Sequence, residues 1–313
     1  MPQGVGARLG LLAAVLLLSA CASGPPLTLP AGAPAIELTE VPFFPQEDYH
    51  CGPAALAEVL QWTGVDVTPA ALAPRLMIPA RYGTLQIELV AQTRALGRVP
   101  YQVPGDLGAV YQELAAGHPV LILQNLALDW SPMWHYAVVV GLDPARREVI
   151  LRSGREPRRV VDATVFENTW ARADKWAMVA LPPAALPVTV EPAQVRQAAI
   201  ALEQLQHWPM AEAVYHSAAR RWPDQAIFQL GYANARYAQG AYAEAEAAYR
   251  VLIAAFPQDP AAYNNLAWLL ARQQRWDEAE ALIDQGLIHA GPLRDELEHT
   301  QRQIRCGRAG TCR

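Results

Sequence analysis

Apolar positions change their period along this chain, and the changes divide it. Over 53–62 the residues Leu56, Val59 and Leu60 recur at helical spacing behind Pro53, which suits a first helical turn. The same reading predicts helices over 69–76, over 84–96 with Thr84 as N-cap and Gly97 as the stop, and over 106–116. The pattern then shifts to short apolar runs between turn residues, which predict strands over 119–124, 135–142, 148–152, 158–161 and 176–181. A short helix over 164–171 precedes the last of them. Helices first and a mostly antiparallel sheet afterwards make an α+β domain.

Three prolines, Pro182, Pro183 and Pro187, interrupt both helix and strand and end this domain. Beyond them the chain turns rich in Ala, Glu, Gln and Arg, and a repeat emerges. Pro223 and Pro257 stand 34 residues apart, and the same step separates Ala211, Ala245 and Ala279, and again Ala213, Ala247 and Ala281. A plain alanine-rich bundle would repeat alanine at helical spacing without that shared register. The period is that of the tetratricopeptide repeat, in which small residues let paired helices approach. Three units are predicted, at 192–225, 226–259 and 260–293, followed by a tail at 294–313; 183–191 is read as a linker.

At the other end, Arg8 precedes an apolar run from Leu9 to Leu18 and then Ser19, Ala20 and Cys21. The run is short for a membrane span and small residues precede a cut site, as in a signal peptide over 1–20. The Leu-Ser-Ala-Cys order resembles the bacterial lipobox, which implies lipidation of Cys21 and a Pro- and Gly-rich tether over 21–35. Ala22, in place of an aspartate, leans the resemblance towards an outer-membrane, periplasm-facing address. The protein is therefore expected to meet a membrane through a lipid.

The 313 residues suffice for about two domains. A composition of 52% hydrophobic and 18% charged residues is that of a globular chain, and a net charge of −5 offers no electrostatic footprint for nucleic acid. No Cys, His and Asp cluster has metal-ligand spacing, and neither metal nor cofactor is expected. Of four cysteines, Cys306 and Cys312 are close enough to pair in an oxidising compartment. Cys51 is left over.

Cys51 stands at the start of the first predicted helix, where unpaired N–H groups and the macrodipole favour a thiolate. Of the seven histidines, His207, His216, His289 and His299 fall in the repeats or tail, His118 in a turn, and His50 beside Cys51, pointing elsewhere. His135 opens an apolar strand, a rigid mount for a base. Gln46, the segment His50-Cys51-Gly52-Pro53-Ala54-Ala55-Leu56 and the strand from His135 and Tyr136 to Gly141 resemble the papain-like peptidases that trim double-glycine leaders from bacteriocin precursors, over residues 41–181. That resemblance implies Cys51 as nucleophile, His135 as general base and acid, and Gln46 with the Cys51 N–H as oxyanion donors. The family orients its histidine with an acid or amide at the place where this chain has Ser153, with Asp162 and Asp143 as alternatives. A peptide or protein substrate, and a protein partner on the repeats, are expected. Two other readings stay open: a peptidase-shaped scaffold that binds without cleaving, and an amidase of peptidoglycan cross-links.

Overall fold

Seven strands form one antiparallel sheet in the computed structural model, which describes residues 32–46, 50–77 and 83–311. They are β1 (Ile36–Glu37), β2 (Val99–Gln102), β3 (Val120–Asn125), β4 (Trp134–Asp143), β5 (Glu148–Ser153), β6 (Glu156–Asp162) and β7 (Ala177–Leu181). Their order is β2-β7-β3-β4-β5-β6, with β1 pairing β4 at Leu142 and Gly141. The five predicted strands are all present. The two not predicted have physical reasons for weak patterns: β1 is two residues long, and β2 contains Pro100, which is tolerated because β2 is an edge strand.

Alternation along the strands sorts the core into two. On one face Leu121, Leu123, Tyr136, Val138 and Ile150 pack against α1 (Cys51–Trp62), α2 (Pro69–Leu76) and α3 (Gln86–Ala95). On the other, Val120, Ile122, Ala137, Val139 and Leu151 meet α4 (Leu107–Ala115) and α5 (Ala163–Ala171). Helix α1 is buried from Gly52 to Leu60 on every side, so its apolar stripe understated its burial. A Cβ on Gly52 would lie 2.7 Å from Thr84 Cβ; only glycine lets the α1 start approach that corner. Thr84 is not the cap of α3, as predicted; Leu85 holds that place, and the Thr84 carbonyl accepts the Tyr136 hydroxyl at 3.2 Å.

The segment 183–191, read from its prolines as a linker, is a fastened strap. Glu113, fully buried on α4, accepts the Thr189 N–H at 2.8 Å and hydroxyl at 2.6 Å through Oε1, and its Oε2 pairs with His118 Nδ1 at 2.7 Å. Burial pushes this carboxyl up, but the bonds from His118 and Thr189 outweigh it and hold the group below the usual range. Prolines remove donors from the strap, and side chains of the first repeat satisfy its carbonyls: Arg221 donates to the Pro187 and Val188 oxygens, and Ser217 to Ala184.

Beyond the strap, helices pair as the 34-residue register predicts: α6 (Pro192–Gln204) with α7 (Trp208–Arg221), α8 (Ala226–Ala238) with α9 (Tyr242–Ala255), and α10 (Pro260–Arg272) with α11 (Trp276–Ile288). Ala211, Ala245 and Ala279 are wholly buried where helices meet. The predicted tail is for most of its length a further helix, α12 (Arg294–Ala309), which lays Leu297 and Ile304 into the last core. Its many charges hid a narrow buried stripe. Cys306 lies in α12 and is disulfide-bonded; Cys312 lies outside the described residues.

One buried acid positions the stretch that leads into the site. Glu58 of α1 is fully buried, and its Oε1 accepts the Phe44 N–H at 3.0 Å, while Oε2 has no partner among the described residues. Burial pushes its pKa up from 4.5 to about 8, against the Phe44 N–H and the charge of Arg152, which lower it. The folded chain thus keeps a proton that the unfolded chain releases above about 4.5, so the stability from this group is complete below that pH and is lost as pH rises towards 8. Glu58→Gln keeps an acceptor for Phe44 and cannot ionise. Thermal melts of the two proteins between about pH 5 and pH 8 are expected to show a declining midpoint in the parent and a flatter one in the variant, with the variant the more stable at the upper end.

Candidate active site

Cys51 is the first residue of α1, and nothing on the N-cap competes for the helix's leading N–H groups, since His50 makes no side-chain cap bond. The sulfur is partly buried, with the backbone N–H groups of Tyr136, Gly52 and Cys51 itself directed at it. It therefore touches β4 at the residue that follows His135. Alternation places Tyr136, Val138 and Val140 on the face covered by α1, and His135 in the other set with Ala137 and Val139. Cys51 thus meets the sheet at the residue next to His135, rather than facing the ring across one surface.

His135 Nε2 lies 2.8 Å from Ser153 Oγ, and Ser153 is buried at the last position of β5. Of the three sequence candidates for the orienting residue, only Ser153 reaches the ring. Asp143 and Asp162 both pair in register with Glu148 at the opposite end of β5, about 17 Å away at the usual rise per residue. Asp143 caps the β4–β5 turn through the Arg146 N–H at 3.0 Å, and Asp162 caps α5 through the N–H groups of Thr164 and Val165.

Gln46 enters the same corner. Its N–H donates to the Gly154 carbonyl at 2.9 Å, and its Oε1 accepts the Gly154 N–H at 3.1 Å. These two bonds fix the amide plane. The remaining group, Nε2, is buried and has no hydrogen-bond partner among the described residues. A buried donor held without an acceptor costs on the order of 1–3 kcal/mol and is the condition expected of a group kept for a ligand oxygen. Gly154, with φ of +62°, makes the turn that carries both this anchor and Ser153; sequence reading missed its part. Arg152 went unnoticed as well, although it donates to the Val41 oxygen at 3.1 Å and the Thr39 oxygen at 2.7 Å and so pins the chain that leads to Gln46.

The electrostatics differ from the expected thiolate. Desolvation pushes the Cys51 thiol up and outweighs the three N–H groups that favour its anion. His135 is pushed down to about 4, by burial first and by the positive charge of Arg159 second. The resting site therefore holds a neutral thiol and a neutral imidazole, because a low-dielectric corner disfavours both charged forms. A neutral imidazole is free to accept a proton.

Cys21, the predicted lipidation site, lies outside the described residues, as does the rest of 1–31. Residues 38–178 match the model of the Peptidase C39-like family, and residues 196–260 and 236–292 match models of the tetratricopeptide repeat. No curated protein matches the chain. Among solved structures, one described as a C39-like peptidase from Bacillus anthracis is 20% identical over 48% of this chain and 98% of its own, with a TM-score of 0.40. The TPR2B domain of yeast Sti1, in a complex with pHsp70, is 18% identical over 36% of this chain and 95% of its own, with a TM-score of 0.35. The Yersinia enterocolitica type III secretion chaperone SycD, in complex with a peptide of the translocator YopD, is 18% identical over 36% and 91%, with a TM-score of 0.33. The chain thus joins a domain that matches the Peptidase C39-like family to a helical region that matches the tetratricopeptide repeat.

Proposed function

We propose that this protein is a cysteine peptidase of the bacterial cell envelope, anchored by a lipid on Cys21 at the outer membrane and facing the periplasm, whose repeats hold a protein partner or substrate. The observation that supports catalysis best is the convergence at one corner of a helix-entrance thiol, an oriented histidine and an unsatisfied amide donor. In this reading His135 Nε2 keeps its proton on Ser153 Oγ, which leaves Nδ1 as the base. Nδ1 takes the thiol proton as Cys51 sulfur attacks the scissile carbonyl carbon. The oxyanion accepts from Gln46 Nε2 and the Cys51 N–H. The imidazolium returns its proton to the leaving amine, and water then hydrolyses the thioester with the same base.

Ser153 supports a second reading. Its hydroxyl orients the ring without neutralising an imidazolium, which is what a scaffold that binds peptides uncut would retain. The peptidoglycan amidase reading shares the same Cys–His chemistry and differs only in substrate.

Cleavage of reduced, carboxymethylated lactalbumin separates these. Cys51→Ala is expected to abolish it. His135→Ala should lower kcat by at least about 10²-fold, and Gln46→Ala by about 10²–10³-fold while leaving alkylation of Cys51 by iodoacetamide close to that of the parent. Peptide substrate bound but left uncut by the parent, with and without His135→Ala, would establish the scaffold; turnover of purified muropeptides alone would establish the amidase.

The base must be neutral to work, so activity is expected to fall as pH drops through about 4. Removing the charge of Arg159 eases protonation of the ring, and Arg159→Gln should move this acid limb upward in a kcat/KM profile. An unmoved limb would mean that the titrating group is not His135. The anchor is tested apart from the chemistry: labelling with radioactive palmitate, expected on the parent, should vanish in Cys21→Ala, with the protein leaving the membrane fraction.

A further inference from the structure

Residues 126–134, the connection between β3 and β4 together with the first residue of β4, expose five large apolar side chains: Leu126, Leu128, Trp130, Met133 and Trp134. Trp130 at its tip is 82% exposed. A floppy loop would hide such residues when it could, but this one is braced. Asn125, itself buried, accepts the N–H groups of Ala127 at 3.1 Å and Met133 at 3.0 Å through Oδ1. The Leu126 N–H donates to the Met133 oxygen at 2.9 Å and the Ser131 N–H to the Leu128 oxygen at 3.0 Å, while Arg172 donates to the Asn125 carbonyl at 3.2 Å. The hairpin is held rigid with its apolar groups in water, an arrangement that costs stability and marks a binding surface.

Its position points to what it binds. Trp134 immediately precedes His135, so the hairpin rises from the same strand end that meets Cys51. A second apolar projection stands nearby on the α1 side: Ile87, 69% exposed in the first turn of α3, three residues beyond the Thr84 corner that packs on Gly52. A bilayer is one apolar surface such a loop could enter, and the hairpin's composition disfavours it. Residues 126–134 carry Asp129 and no Lys or Arg, whereas elements that dock on anionic membranes flank their apolar groups with cations. The chain also enters the domain at β1, which pairs with the far end of β4 from the hairpin.

We propose that the 126–134 hairpin is the substrate-recognition element of this site, taking bulky apolar side chains of an extended, unfolded polypeptide beside Cys51. The inference rests on the peptidase reading of Cys51 and His135 and adds the class of substrate: segments rich in Leu, Ile, Phe or Met, which folded proteins expose only when damaged or unassembled. Burying wide apolar groups against Trp130 and Met133 removes apolar surface from water on both partners, and a few such contacts suffice to select a segment.

The test uses binding, so that it does not depend on turnover. Full-length Cys51→Ala protein is applied to an array of random 12-residue peptides on cellulose, beside the same protein carrying Trp130→Ser and Met133→Ser. Bound peptides are expected to be enriched in bulky apolar residues, and the hairpin variant is expected to bind them at least tenfold more weakly with an unchanged melting midpoint, since both side chains project into solvent. Equal binding by the hairpin variant, peptide capture without apolar preference, or no capture by the parent would each overturn the proposal. So would loss of binding to phosphatidylglycerol vesicles with peptide capture intact, which would make the hairpin a membrane element. Cleavage of reduced, carboxymethylated lactalbumin by the unsubstituted protein, lost in Cys51→Ala, reports the peptidase reading separately: cleavage with unaffected hairpin variants sinks only the recognition proposal, and no cleavage sinks the reading beneath it.

Discussion

The end of β5 carries the constraint on which the rest of the site depends. Ser153 Oγ holds the His135 ring, and the next residue, Gly154, holds both the main chain and the side-chain oxygen of Gln46. Two groups from distant parts of the sequence are thus set by one turn, which the β5–β6 ladder closes and the β4–β5 ladder places beside the strand of His135. Because Gly154 takes a left-handed conformation, a side chain there would strain the turn and shift both groups together. The geometry is rigid where chemistry needs precision, since strand pairing and not a free loop fixes the spacing between ring and amide.

The corner is also dry, and dryness decides the protonation states. The helix entrance and the N–H groups around Cys51 favour an anion, yet burial disfavours it more, and the same burial keeps His135 unprotonated. The balance has a consequence for mechanism. A pre-formed ion pair would store its charge separation in the resting protein, while a neutral pair develops charge only as the thiol proton moves. In the proposed mechanism preorganised donors matter most at that moment, because the Gln46 amide and the Cys51 N–H would meet an oxygen that becomes negative in a medium of low polarity. Ser153 suits this arrangement: a carboxylate at its place would raise the affinity of the ring for protons, whereas a hydroxyl leaves the imidazole neutral and oriented.

Much of this was legible in the sequence, and the limits were physical. The five strands of the predicted sheet and the helices α1, α2, α4 and α5 follow from period and turn residues, and the three helix pairs from the 34-residue register. Cys51 and His135 could be singled out because helix starts and strand ends are where such groups act. Elements that rest on pairing alone left no pattern, as in β1, or a misleading one, as in β2 with Pro100. Buried polar residues were the least legible. Glu58 sits in a run that reads as apolar helix, and its bond to Phe44 joins residues whose relation exists only in the fold. The choice among Ser153, Asp143 and Asp162 likewise needed the register of β5, because sequence distance says nothing about which end of a hairpin a residue occupies.

The segment 183–191 carries the largest consequence for how the two domains act. Its prolines read as a linker at the domain boundary. Instead a single apolar core runs from Val120 and Val139 of the sheet through Val195 and Leu202 of α6 to Val214 and Phe228, with the strap bonded on both sides. Separating the domains would expose that core and strip the partners from a buried carboxylate, costs that add to several kcal/mol and leave the parted state sparsely populated. A flexible adaptor raises the local concentration of whatever it holds, and its effect depends on linker length. A fused one fixes direction instead. A partner held by these repeats, as proposed, would therefore present its chain to the first domain at a set angle, and specificity would reside in where the repeats hold it as well as in what lies at the site.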